Sequence, residues 1–225
     1  MTETQAREAI CRVGRSLFER RLVHATAGNI SVRLDDGFLI TPTDACLGQL
    51  DPAQLARVDA QGQPLGGARA SKTLTLHRRI YQAVLPFDAA TRCVIHTHST
   101  HCVALSLRRA AAAAGPFGPE LLPPITPYFV MKVGHVPLIP YHRPGDPAVA
   151  DAVAEQIERH GQAGHPIRAV MLERLGPNVW HDSPEQAMAT LDELEETAHL
   201  WQLAPADALA TEHIDALRQH FGARW

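Results

Sequence analysis

The sequence is short of cysteine, of unbalanced charge and of long apolar runs, and each shortage removes a class of protein. Four cysteines, Cys11, Cys46, Cys93 and Cys102, occur in 225 residues and none forms a Cys-x-x-Cys pair. That is too few for a disulfide scaffold. Lys and Arg number 21 against 24 Asp and Glu, a net charge of −3. No basic excess exists to hold a polyphosphate backbone, so nucleic acid is not an expected partner. No apolar run approaches the ~20 residues of a membrane span, and no membrane partner is expected. The opening MTETQAREAICRVGRSLFERR carries charge throughout and does not read as a signal peptide. A cytoplasmic protein is the expectation. The composition, 45% hydrophobic and 20% charged, is ordinary for a globular chain and excludes disorder and collagen-like repeats. What the chain has in quantity is histidine, 13 residues.

Periodicity places the elements. Ala6, Ile10, Val13 and Leu17 recur at helical spacing. Residues 29–34 alternate as a strand, Asp35-Asp36-Gly37 signals a turn, and 38–41 returns as a hairpin. Asp51-Pro52 opens a short helix, and the Gly-rich 61–70 reads as a loop. Leu74, His77, Arg78, Tyr81 and Leu85 define a helix that Pro86 stops. A strand over 92–97 and a helix over 99–107 follow. The prolines between 115 and 127 exclude a regular element there. Strands are expected at 136–141, 168–172 and 178–181, with helices at 146–160, from Ser183 through Trp201, and from 205 to 221. Neither a repeat nor a linker interrupts the chain, so residues 1–225 form one domain. Helices mixed with hairpins predict an α/β layered fold around a mainly antiparallel sheet.

His96-Thr97-His98 closes the 92–97 strand. Residues two apart share a strand face, so both imidazoles can address one ion, and imidazole suits zinc, manganese or iron. Chance alone gives roughly 0.7 such pairs for this histidine content, so the location at a strand's C-terminal end carries more weight than the spacing. Ser99, Thr100 and His101 continue the polar cluster. Three turns offer backbone N–H groups and hydroxyls: Thr26-Ala27-Gly28-Asn29, Thr41-Pro42-Thr43-Asp44 and Ala70-Ser71-Lys72-Thr73. The last, at a helix start, suits a phosphate, although Ser and Thr also sit at such positions as plain caps.

The order GNISVR, ITPT, a Ser-containing turn before a helix with Leu-His in its second turn, then VIHTHSTH, resembles the class II aldolase/adducin family. The likeness runs from about Ile10 to Leu203. It implies a three-layer α/β/α domain around a mainly antiparallel sheet, a homotetramer, and a divalent metal, Zn²⁺ or another such as Mn²⁺. By this resemblance His96 and His98 hold the metal. Asn29, Thr43, Asp44, Ser71 and Lys72 bind a phosphorylated sugar substrate, and Tyr128, in PITPYFVMKVG, is a catalytic residue.

Two positions depart from the family pattern. Aldolases of the family place a general-base Glu after the Ser turn; here Lys72-Thr73 stands there. The third His ligand's place is taken by Leu175 in Met171-Leu172-Glu173-Arg174-Leu175-Gly176. Glu173, two residues back on the same strand face, is one replacement; His101, His142 and His181 are others. The S-K-T-L-x-L-H form resembles the 3-oxo-tetronate 4-phosphate decarboxylase branch, which implies a catalytic part for Lys72 and Thr73. Decarboxylation breaks a C–C bond beside a carbonyl without first removing a hydroxyl proton. It therefore needs a group to hold a carboxylate rather than a base. The product would be dihydroxyacetone phosphate with CO₂. The alternatives are a sugar-phosphate aldolase or epimerase, and a non-catalytic adducin-like interaction domain.

Overall fold

The computed structural model describes residues 1–108 and 113–225. Its centre is an eight-stranded sheet in the order β4-β3-β2-β1-β5-β10-β9-β8. The strands are β1 (Asn29–Leu34), β2 (Gly37–Ile40), β3 (Ala56–Asp59), β4 (Pro64–Gly66), β5 (Cys93–His96), β8 (Leu138–Ile139), β9 (Ala169–Leu172) and β10 (Gly176–His181). Neighbours pair antiparallel except β8 with β9, which run parallel.

The alternation of side chains across each strand builds two separate cores. Ile30, Ile95 and Val179 face one side, where α1 (Glu3–Glu19), α3 (Thr100–Ser106) and α5 (Pro184–Leu203) pack. Val94, Val170 and Trp180 face the other, against α2 (Leu74–Val84) and α4 (Ala148–Gln162). The result is the three-layer arrangement expected from the sequence. In α1 the helical-spaced Ala6, Ile10, Val13 and Leu17 are all buried, and Thr2 closes a capping box with Gln5. The indole of Trp180 is buried and donates to the Ile167 carbonyl at 3.0 Å, so its one polar atom is satisfied.

Four regions differ from the sequence expectation. The strands β3 and β4 lie where a short helix end and a loop were expected; β4 is fully exposed at the sheet edge, so burial leaves no pattern in it. The Pro-rich stretch opens with a two-stranded ribbon, β6 (Ala113–Gly115) and β7 (Gly118–Glu120). Pro119 is tolerated there because the ribbon stands apart from the main sheet. A π-helical turn spans Phe129–Val133. The last helix, α6, begins at Thr211 rather than 205, because the preceding stretch is held extended by Leu209 N–H on the Pro124 carbonyl at 2.8 Å.

Candidate active site

A cleft of about 490 Å³ opens at the C-terminal end of β5. His96 is the last residue of that strand and lies level with Asn29 of β1 and Asn178 of β10. Cross-strand partners share a face, so Asn29, His96 and Asn178 form one polar row on the α2/α4 side of the sheet. All are buried. His98 follows β5, with its ring centroid 5.1 Å from that of His96. Both rings line the cleft.

Two glycines bring the neighbouring chain close enough to frame this strand end. Gly28, at φ +84°, would place a Cβ 2.9 Å from the His96 carbonyl. Gly176, at φ +146°, would place one 1.9 Å from the Thr97 carbonyl. Only a residue without a side chain fits either position.

The His96 Nδ1–H donates to the Pro177 carbonyl at 3.0 Å. The carbonyl can only accept, so Nε2 carries the lone pair. Burial, and then His98, hold the His96 pKa down at about 3, so the ring is neutral. Burial, followed by His24, also lowers that of His98. A divalent ion requires neutral imidazoles, and in His96 the tautomer is fixed as well. Glu173 lines the same cleft, is 7% exposed, and accepts the Tyr141 N–H at Oε2 (3.0 Å). Two imidazoles and a carboxylate, donor types that suit a divalent metal, line one cleft. Leu175 also lines the cleft and offers no donor atom.

The three turns converge here. Asn29, Thr43, Asp44, Ser71, Lys72 and Thr73 all line the cleft. Pro42 bridges to Ala70, and the Ser71 N–H donates to the Thr41 carbonyl at 3.1 Å, which ties the second turn to the third. Ser71 lies outside α2, whose N-cap is Thr73, and its hydroxyl meets the Thr73 hydroxyl at 2.9 Å. Asp44 adopts a left-handed φ of +57°. The loop after β8 supplies the facing wall through His142, Arg143, Pro140, Pro144 and Pro147.

The other histidines separate. His142 reaches the cleft wall, its Nδ1 bonded to the Pro140 carbonyl at 2.7 Å. His101 does not: its ring stacks on His199 at 4.1 Å in a different pocket beside Glu195. His181 pairs with Cys93 at the opposite end of β5 and bonds Asp182, so it too is away from the cleft. Tyr128, placed in the site by the sequence, is 59% exposed at the start of the π-helical turn and does not line the cleft of this chain.

Two residues that sequence reasoning left aside stand behind the site. His77 on α2 is fully buried, with Nδ1 2.8 Å from the Ser31 hydroxyl, which in turn meets Tyr81 at 2.9 Å. Its Nε2 is buried without a hydrogen-bond partner. Burial, and secondarily His96, lower its pKa to about 3. Asn178 is fully buried with neither side-chain polar atom hydrogen-bonded. Its place opposite His96 follows from strand register, which no local motif announces.

Comparison with known proteins identifies the family. Residues 8–202 match the model of the Class II Aldolase and Adducin N-terminal domain. A Cupriavidus necator protein named 3-oxo-tetronate 4-phosphate decarboxylase is 51% identical over 232 residues, covering 100% of this chain and 99% of its own. An Escherichia coli K12 protein of the same name is 38% identical, covering 88% of this chain and 86% of its own. The crystal structure of YgbL from Klebsiella pneumoniae superposes with a TM-score of 0.81 at 38% identity, over 97% of this chain and 100% of that one. The chain belongs to the class II aldolase and adducin family.

Proposed function

We propose that the protein is a metal-dependent carboxy-lyase that converts a 3-oxo-tetronate 4-phosphate to dihydroxyacetone phosphate and CO₂. The observation that carries this reading is Lys72: it lines the same cleft as His96 and His98, at the position where an aldolase needs a carboxylate base. The relatives that are 51% and 38% identical bear the name of this activity.

His96, His98 and Glu173 would hold the ion, Zn²⁺ or another divalent metal such as Mn²⁺. When bound, it supplies Lewis-acid stabilisation of the oxygens that gain charge as the C–C bond breaks. The chain's own residues do the rest. Asn29, Thr43 and Ser71 bind the phosphate through turn N–H groups and hydroxyls, with Asp44 shaping the second turn. Lys72 pairs with the substrate carboxylate, and Thr73 orients the Ser71 hydroxyl. CO₂ departs and the electron pair passes into an enediolate. A proton delivered to carbon, from Lys72 or from water, completes dihydroxyacetone phosphate. The exposed position of Tyr128 gives it no part within one chain. The aldolase and epimerase alternatives lack their base, and the buried polar row would be costly in a domain without a ligand.

The chain reads as a single domain, since one sheet spans residues 29–181. Leu203 and Phe221, 70% and 68% exposed, support a homo-oligomer, a tetramer by family pattern. Among the described residues no helix is long and apolar enough to cross a membrane; a cytoplasmic enzyme is the reading offered. The test is incubation of the purified protein with 3-oxo-tetronate 4-phosphates and assay of dihydroxyacetone phosphate. Cleavage of sugar-phosphate aldols, with the keto acid left intact, would overturn the reading.

A further inference from the structure

A second group of metal-ligating side chains lies outside the cleft. Glu120 ends β7, His135 precedes β8, and His160 stands in the last turn of α4. One donor atom from each lies within 4.8 Å of the other two. All are buried: Glu120 at 2%, His135 at 8% and His160 at 1% exposure. None of them lines the cleft.

The hydrogen bonds aim the donors inward. The His160 Nδ1–H is spent on the Gln156 carbonyl at 2.8 Å, so in the neutral ring Nε2 carries the lone pair. That Nε2 is buried, has no hydrogen-bond partner, and stands 3.9 Å from the Glu120 carboxylate. A lone pair facing a carboxylate in a dry interior is unfavourable unless something positive lies between them. His135 Nδ1 meets the same carboxylate oxygen at 2.8 Å. The surroundings are shaped to the cluster. The Trp225 ring stacks on His135 at 4.1 Å, Phe117 sets its edge on His160 at 4.8 Å, and His165 waits at the rim, 6.4 Å from His135. Gly115 gives the carboxylate its room, since a Cβ there would fall 2.3 Å from Glu120 Oε1.

We propose that Glu120, His135 and His160 form a structural divalent-cation site of the zinc class, separate from the catalytic cleft. Two imidazoles and one carboxylate are a zinc-type donor set, and it is their burial, which closes the site to substrate, that suits a structural ion. Binding needs the lone pair of His135 on Nδ1, so that ring's proton moves to Nε2. The ion would tie the end of α4 to the β6–β7 ribbon and the approach to β8, which already meet through the Glu120–Pro137 bridge and the Leu121 N–H on the Val136 carbonyl.

The test uses the full-length protein. His96→Ala/His98→Ala removes the imidazoles of the cleft. After chelator treatment this variant is loaded with Co²⁺ or Zn²⁺, desalted and analysed for metal. The expected result is one equivalent retained per chain. Zn²⁺ at about 100 times its Kd should raise Tm by roughly 5–10 °C. Adding His160→Gln or Glu120→Gln should abolish both. If either triple variant fails to fold, Gly115→Ala in the His96→Ala/His98→Ala background displaces the carboxylate while keeping every ligand, and should shift the Co²⁺ visible spectrum. A folded His96→Ala/His98→Ala protein that retains no metal and shows no Tm shift would overturn the proposal. So would retention unchanged by Glu120→Gln.

Discussion

The cleft and the Glu120–His135–His160 cluster use the same side chains under opposite conditions. In the cleft, His96 and His98 stand at a strand end with one side open to a space of about 490 Å³. In the cluster, every donor is buried beneath Phe117 and Trp225. An open coordination position admits substrate; a closed one can only hold structure together. The difference lies in what surrounds the ligands. The cleft is walled by turns and a loop, the cluster by a helix, a ribbon and stacked rings.

The contrast predicts different failures. The largest expected effect is on chemistry: His98→Ala should lower kcat/KM by about 10³-fold or more, since Lewis-acid stabilisation supplies several kcal/mol. Its Tm without added metal should barely move. Steady-state kinetics with melting curves check this, and a fully active His98→Ala would erase the distinction between the two regions. Next comes the frame. Gly176→Ala should cost on the order of 3 kcal/mol, lowering Tm by ~6–12 °C, because a Cβ meets the Thr97 carbonyl at 1.9 Å. An unaltered melting temperature would show that the turn can relax, and that the strand end is not rigidly framed.

Lys72→Met keeps the stem and removes the charge. The loss of a charge-assisted hydrogen bond worth ~1.5–3 kcal/mol should reduce kcat/KM by about one to two orders of magnitude. Wild-type decarboxylation by this variant, with metal bound, would remove Lys72 from the cleft's chemistry. The smallest effect concerns pH. His77 has a folded pKa of about 3 against 6.5 in a free side chain, so the unfolded chain binds more protons between those values. Its contribution to stability is intact above about pH 6.5 and falls as pH drops, by about 1.4 kcal/mol per unit. Denaturant melts of His77→Gln should therefore show a shallower decline than wild type between about pH 6.5 and 5. Parallel curves would assign the acid sensitivity elsewhere.

Local signals made the cleft legible. Gly28-Asn29, Thr43-Asp44, Ser71-Lys72-Thr73 and His96-x-His98 each lie within a few residues, and the hairpin and helix periods around them are strong. The structure gathers all of them in one cleft. Tyr128 came from family pattern alone, and the fold of one chain leaves it outside. Ranking His142 above His101 and His181 needed strand register and loop path, which spacing does not encode. The cluster was invisible for the same reason: Glu120, His135 and His160 sit fifteen and twenty-five residues apart, and only packing of α4 beside β8 unites them. Strand β4 escaped notice because an exposed edge strand carries no alternation.

The proline content of the cleft wall has a thermodynamic consequence. Pro140, Pro144 and Pro147 fix three φ angles within a single loop facing the polar row. A rim so restricted has few conformations to surrender when a ligand settles against it, so most of the configurational entropy has been lost already at folding. Calorimetry of phosphorylated ligands should then show a small entropic penalty for association, and Pro144→Gly should enlarge it while leaving the enthalpy of contact nearly the same.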